Sequence, residues 1–393
     1  MSAHSALDRT TAPAPAIPVR VSLDVSAIPA AAAGAGRYVA ALATALDQRT
    51  DVNLSLICRR NDWARWAGHD GSTLIPRSPN RRPARLAWEQ IGLPALLRQR
   101  HFDVHHGPHY TMPELARLPK VVTIHDCTFF DHPEWHERSK VMLFRRATRV
   151  AAARAAALIC VSHITADRLR EVVDVRAPVT VAHHGVDHDR FRPDEPKPGS
   201  DSAVLAPLGI GSDQRIVLFV GTLEPRKGVG LLIEAFDRVA ADRADAVLML
   251  AGQRGWGSDQ VREGVARSRH PDRIRTLGYV SDAALPALIR RAAVVAYPAF
   301  EEGFGLPALE TLACGTPLVT TSGTAMEEIA GEAALLVQPG NLDELCSAME
   351  TVLDGADETA GRTRRDLGLT LAATYTWART AEVHAGVYRK VAR

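Results

Sequence analysis

Two carboxylates and two cations stand out in this chain by the residues around them. In "EEGFGLPALE", residues 301–310, Glu302 and Glu310 flank a turn made of Gly303, Phe304, Gly305 and Leu306, and Pro307 follows at an early helical position. In "LFVGTLEPRKG" an apolar run ends at Gly221 and delivers Arg226 and Lys227 side by side, before a helix that starts near Gly228. Adjacent cations at the mouth of a parallel sheet suit a diphosphate, the arginine through paired donors and the lysine as a point charge. A solvated basic turn would carry the same pair. The amides of residues 303–306 make a concavity for an oxyanion or a sugar hydroxyl, and carboxylates beside it can accept hydrogen bonds from a diol. A proline and two glycines separate the glutamates, so they do not share one helix face. Glu310 falls in the first helical turn on this reading, where an acid also complements the helix dipole.

Side chains of this kind are held at the carboxyl ends of parallel strands, where backbone amides and helix N-termini face a ligand. The sequence supplies the strands. "VRVSLDVS", "NLSLICR", "DVHHG", "KVVTIHD", "AALICVS" and "VTVAHHGV" are short apolar runs separated by helical stretches, and the pattern resumes as "RIVLFVG", "AVLMLAG", "RIRTLGYV", "VVAYPAF" and "PLVTT". Runs apolar at nearly every position suit strands covered on both faces, and intervening helices imply right-handed parallel crossovers. The chain therefore reads as two doubly wound α/β domains, over 18–190 and 214–372, joined by a Pro-, Gly-, Ser- and Asp-rich linker at 191–213. Residues 1–17 read as a disordered tail. Residues 373–393 read as a closing helix, with Trp377, Val383, Val387 and Val391 at near-helical spacing.

On those motifs the chain resembles the retaining glycosyltransferase family 4, which has the GT-B fold: two Rossmann-like domains facing across a cleft. "GTLEPRKG", then "EEGFGLPALETLACGTPLV", then "GEAALLVQPGN" match its C-terminal half in order, and Glu302 and Glu310 reproduce its glutamate, seven residues, glutamate spacing. The resemblance implies that Arg226 and Lys227 bind a donor diphosphate, Glu302 the donor sugar and Glu310 the ribose. It places His125, in "VVTIHDCTFFDHPEWH", near the reacting carbon. The loop "PAAAAGAGRYVAAL" resembles the family's glycine-rich turn, with Gly34 and Gly36 as its flexible pair and Arg37 and Tyr38 opening a helix; alanine replaces several glycines. "AHHGVD" stands where relatives commonly read "PNGVD", and "EEI" where they read "PEV", so Glu328 is carried over as a nucleotide-side contact. The family implies a nucleotide diphosphate sugar as substrate, with no cofactor and no required metal. "TIHD", "HPEWH" and "GTLEPRKG" are similar to bacterial mannosyltransferases and point to GDP-mannose, with UDP- or ADP-glucose as alternatives. The acceptor is a glycan or a lipid-linked sugar on this reading. A sugar-nucleotide-binding protein without transfer activity, or a phosphorylase of similar fold, remains open.

Composition narrows the classes further. The net charge of +2 is the remainder of 47 basic and 45 acidic side chains, which gives no basic field for nucleic acid. Five cysteines without a CxxC pair suit reduced thiols and a cytoplasmic location. No apolar run reaches the roughly 18–20 residues of a membrane span. In 136–158, Arg138, Arg145 and Arg149 fall on one helical face, opposite Val141, Phe144, Ala151, Ala155 and Leu158. That helix could touch an anionic membrane, or simply be a solvated face over a core stripe. "DHD" at Asp187–Asp189 and "HHGPH" at His105–His109 spell metal ligands, but the first has no accompanying donor-site motif and the second lacks a tetrahedral set.

Overall fold

The computed structural model describes residues 17–28, 34–211, 213–355 and 358–392. The expected N-terminal tail, apart from Ile17, and the alanines preceding Gly34 lie outside the described residues.

The first sheet holds seven strands: β1 (Val19–Asp24), β2 (Val52–Arg59), β3 (Thr73–Ser78), β4 (Val104–Gly107), β5 (Lys120–Ile124), β6 (Ala157–Cys160) and β7 (Val179–Val181). The second holds six: β8 (Arg215–Val220), β9 (Ala246–Ala251), β10 (Ile274–Gly278), β11 (Val294–Tyr297), β12 (Leu318–Thr321) and β13 (Leu335–Val337). Every pairing is parallel, in the orders β3-β2-β1-β4-β5-β6-β7 and β10-β9-β8-β11-β12-β13. Each order reverses direction beside its first strand, β1 or β8, and such a reversal opens a crevice at the carboxyl ends of the strands. Strands with apolar residues at each position are covered on both faces: all six residues of β9 are buried.

The sequence reading passes over β3 and β13, and both are edge strands. β3 contains Pro76, which an edge tolerates because the missing N–H need not join a ladder, and its burial is patchy. β13 is only three residues long. The segment read as a linker also holds more structure than its composition suggests. A helix, Ser200–Leu205, is tied to the helix Ala284–Arg291 by Arg290, whose Nε and Nη2 donate to Asp201 at 2.7 and 2.6 Å.

After the second sheet the chain returns to the first. The helix Trp377–Val391 packs Ala381, Ala385, Val387 and Tyr388 into the core that also contains Val39 and Leu42. The expected stripe of Trp377, Val383, Val387 and Val391 faces this core, with Val387 fully inside it. Val383 and Val391 are only partly buried, whereas Thr380 and His384 are buried and hydrogen-bonded. The basic helix is Arg138–Arg154 and ends before Leu158, which belongs to β6. Its Arg145 donates to the carbonyls of Phe129 and Phe130 at 2.7 and 3.0 Å, so this cation is turned toward the protein rather than outward. No helix of the described residues is long and apolar enough to cross a membrane.

Candidate active site

The second sheet delivers charge. β8 ends at Val220, and after Gly221 the chain makes a single turn at Pro225–Lys227 that is closed by Gly228 at φ 69. A side chain at Gly228 would place its Cβ 2.0 Å from the carbonyl oxygen of Pro298, so only glycine lets the two segments meet. The turn points Lys227 inward, where Nζ donates to Tyr297 Oη at 2.7 Å and to the Glu302 carboxylate. Tyr297 Oη in turn donates to Glu302 Oε1 at 2.8 Å, and Arg226 Nη1 stands 3.5 Å from the same oxygen. Burial opposes ionisation of Glu302, but Lys227 and Arg226 overcome it and hold the carboxyl down to about 2. Burial pulls the Lys227 ammonium downward, against the attraction of Glu302. A negatively charged ligand at this wall would meet cations already fixed in place.

Glu310 differs from its expected placement. It is the fifth residue of the helix Leu306–Ala313, and that helix has no acid in its first turn, so the capping reading falls. Glu310 instead reaches across the cleft to Arg37, with Nη1 3.2 Å from Oε1. The residue is 5% exposed, and Oε2 has no hydrogen-bond partner among the described residues. Burial raises its carboxyl to about 7, against the opposing pull of Arg37 and Arg190. Gly305, at φ 94, precedes the helix, and no side chain caps its N-terminus.

The first sheet delivers neutral groups. His125 follows β5 and is buried, and Nε2 donates to the carbonyl of Pro108 at 2.8 Å, which leaves the lone pair on Nδ1. Burial lowers its affinity for a proton. Tyr38 meets the ring edge-on at 5.1 Å, and His109 and Tyr110 pack beside it. The two walls touch where the Gly303 carbonyl accepts from Ser162 Oγ at 2.7 Å and Thr165 Oγ1 at 3.1 Å. A Cβ on Gly303 would lie 1.6 Å from the carbonyl oxygen of His125.

A cavity of 370 Å³ opens between these walls. Gly34, His125, Gly221, Arg226, Lys227, Glu302, Gly303, Phe304, Gly305, Leu306 and Glu310 all line it. Gly36 and Glu328 do not. Gly36 is buried as the second residue of the helix Ala35–Asp47. Glu328 faces another part of the seam, accepting from the amides of His163 and Ile164 at 2.8 and 3.0 Å and from His183 Nε2 at 2.6 Å.

Sequence reasoning missed Tyr297, which links Lys227 to Glu302, and the pair Ser162 and Thr165. Tyr297 was visible as the polar end of the strand in "VVAYPAF". The serine and threonine carry no signal apart from their contacts. The remaining metal-like spellings have other partners. His105 Nδ1 pairs with Ser22, His106 with Tyr388 and Thr123, and Asp187 Oδ1 accepts the amides of Asp189 and Arg190.

Comparison with known proteins fits this geometry. Residues 203–367 match the family model "Glycosyl transferases group 1", and residues 32–190 match "Glycosyltransferase Family 4". The chain is 30% identical over 301 residues to O-antigen chain mannosyltransferase B of Escherichia coli, covering 75% of this chain and 74% of that one. Sucrose-phosphate synthase from Thermosynechococcus elongatus superposes with a TM-score of 0.75 at 20% identity, over 95% of this chain and 98% of that one. Anabaena HepE in complex with UDP-glucose gives 0.74 at 18% identity, over 94% and 98%. With both halves matched in order and the cleft between two parallel sheets, the chain belongs to the family 4 glycosyltransferases of GT-B fold and is a transferase enzyme.

Proposed function

We propose that the enzyme transfers mannose from GDP-mannose to a hydroxyl of a glycan or lipid-linked acceptor, with retention of anomeric configuration and without a required metal. The observation that carries this reading is the cation pair Arg226 and Lys227, fixed at a strand end of the second sheet and facing the buried imidazole of His125 across the cavity. As the bond to the sugar breaks, negative charge grows on the departing diphosphate. Arg226, Lys227 and the amides after Gly303 are oriented before that charge appears, which is the condition for large electrostatic stabilisation.

His125 and Glu302 position the electron-poor sugar, and Glu310 takes the ribose. Arg37 gives up its contact with Glu310 when the ribose arrives. No protein nucleophile is assigned. The departing phosphate oxygen accepts the proton of the acceptor hydroxyl on the face it leaves from, so the new bond forms on that same face. Metal independence is supported by the charge inventory: the cavity's two family glutamates, Glu302 and Glu310, are both paired with side-chain cations.

The mannosyl donor is supported by the relative named as a mannosyltransferase. UDP-glucose is the second reading, supported by the fold neighbour whose complex contains it. A cytoplasmic site of action, with acceptors presented at the inner face of the membrane, agrees with five buried free thiols.

The test is a thermal-shift titration with GDP, UDP and ADP and their mannose and glucose conjugates, in chelator. GDP and GDP-mannose are expected to raise the midpoint selectively. A selective response to the uridine series would replace mannose with glucose in this reading. Unchanged product formation by Glu302→Ala would remove the site assignment.

A further inference from the structure

Among the described residues, one group of three ligand-type side chains is close enough to share an ion, and it lies outside the cavity wall. It comprises His163, His183 and Glu328, whose ligand atoms all lie within 4.8 Å of one another. The two halves of the protein supply it jointly. His163 opens the helix His163–Val172 and His183 follows β7, both in the first half, while Glu328 sits on the helix Ala325–Ala330 after β12. From the geometry of this cluster, we infer that the three side chains bind one zinc ion that fastens the two halves together beside the catalytic cleft.

The donor set decides the class of ion. Two imidazoles and one carboxylate suit zinc and disfavour magnesium or calcium, which prefer oxygen ligands. Three protein ligands leave a fourth position for water, and the exposure of His163 provides an entry path. Bonds of about 2.0–2.2 Å around a tetrahedral ion put ligand atoms about 3.3 Å apart. His183 Nε2 and Glu328 Oε1 are 2.6 Å apart, so they need to separate by less than about 1 Å. The ion takes the place of the hydrogen between that pair, and the neutral His183 ring keeps its one N–H on Nδ1 while Nε2 ligates.

Surrounding contacts hold the ligands in position. The Glu328 carboxylate is oriented by the amides of His163 and Ile164. The His183 ring packs against Phe304 and Tyr375, at centroid distances of 6.1 and 5.6 Å. Phe304 itself lines the catalytic cavity, so the ion would stiffen a side chain of that wall without entering it. The inference is independent of the donor or acceptor identity.

The test is calorimetric titration of chelator-treated full-length protein with zinc chloride and, separately, magnesium chloride. Wild type, His163→Ala, His183→Gln and Glu328→Gln are compared. His163→Ala retains the backbone amide that Glu328 uses, and glutamine at 183 can still donate to Glu328, so these two variants leave the seam intact. Wild type is expected to take up one equivalent of zinc and no measurable magnesium. Each variant is expected to bind zinc at least about tenfold more weakly, since even a second-shell loss costs that much. Zinc should raise the thermal midpoint of wild type, and raise that of the folded variants less at the same concentration. Failure of wild type to bind zinc overturns the inference, as does undiminished binding by the well-folded His163→Ala and His183→Gln variants.

Discussion

The two walls of the cleft differ in how much of their lining is charged. The first-sheet wall presents mainly imidazoles and a phenol: His125, His109, Tyr110 and His184 line the cavity beside Arg37 and Asp126, with His105, His106 and His384 buried behind. Burial pushes His105 and His384 down to about 4 and His109 to about 3, so these rings are neutral at pH 7. The second-sheet wall concentrates formal charge in Arg226, Lys227 and Glu302, mutually paired and desolvated. A wall made mostly of uncharged rings can orient a polyol through contacts that need no charge. A charged wall whose cations are already held by Glu302 and Glu224 keeps them in place for an arriving anion. Under the proposed function, the diphosphate belongs at the charged side and the other face of the reacting sugar at the ring-lined side.

Breaking the charged wall should cost the most. Lys227→Ala removes a cation from the site of growing charge and leaves Glu302 with Arg226 alone. The expected loss in kcat is about 10²–10³-fold, the range for deleting one fixed stabiliser of developing charge. A loss of less than tenfold at saturating donor would mean that the charged wall is not where charge develops.

Glu310→Gln probes the contact across the cleft and should act mainly on donor binding. Losing one charged hydrogen-bond partner raises the donor KM by about tenfold, equivalent to about 1.4 kcal/mol, with kcat little altered. An equal fall in kcat and kcat/KM would instead place Glu310 in the transition state.

The smallest effect, on stability, separates the walls by pH. The buried histidines hold fewer protons in the folded state than in the unfolded one. Their contribution is therefore complete above pH 6.5 and is lost as pH falls toward about 4, and toward about 3 for His109. Glu302, depressed to about 2, keeps its contribution until pH drops below 4.5 and loses it toward 2. Glu310, raised to about 7, has the opposite sign, and its contribution fades as pH rises from 4.5 to 7. Amide exchange measured at pH 7 and pH 5 should therefore show the first half losing protection before the second, with a thermal midpoint lowered by roughly 2–4 °C per kcal/mol lost. Earlier loss in the second half would contradict the contrast.

How much of this the sequence disclosed follows the same division. The charged wall was legible because its residues are close in sequence and bracketed by glycine: Arg226 and Lys227 are adjacent, and Glu302 and Glu310 stand around one turn. The ring-lined wall was legible at His125 and at the Gly34 loop, but not in the rings behind, which come from β4, the segment after β7 and the last helix, with nothing local to mark them as neighbours. Strands buried on both faces announced themselves by continuous apolar runs. The edge strands β3 and β13 did not, because Pro76 and the short "LLV" lack that pattern, whereas the other two edges, β7 and β10, were read. Glu328 lies outside the cavity, a placement that its spacing from the acidic motif could not show because spacing says nothing of which way its helix faces. The helix in 200–205 was hidden by a composition typical of loops.

The return of the helix Trp377–Val391 to the first sheet has a consequence for how the molecule is made. Tyr388 and Ala385 belong to the same core as Leu23 and Leu42. During synthesis the ribosome releases residues 203–367, and with them nearly all of the second sheet's core, before the first sheet's core has all its parts. The half that begins earlier in the chain is thus finished later, and until residue 388 emerges its sheet presents an uncovered apolar face to whatever chaperone attends the nascent chain.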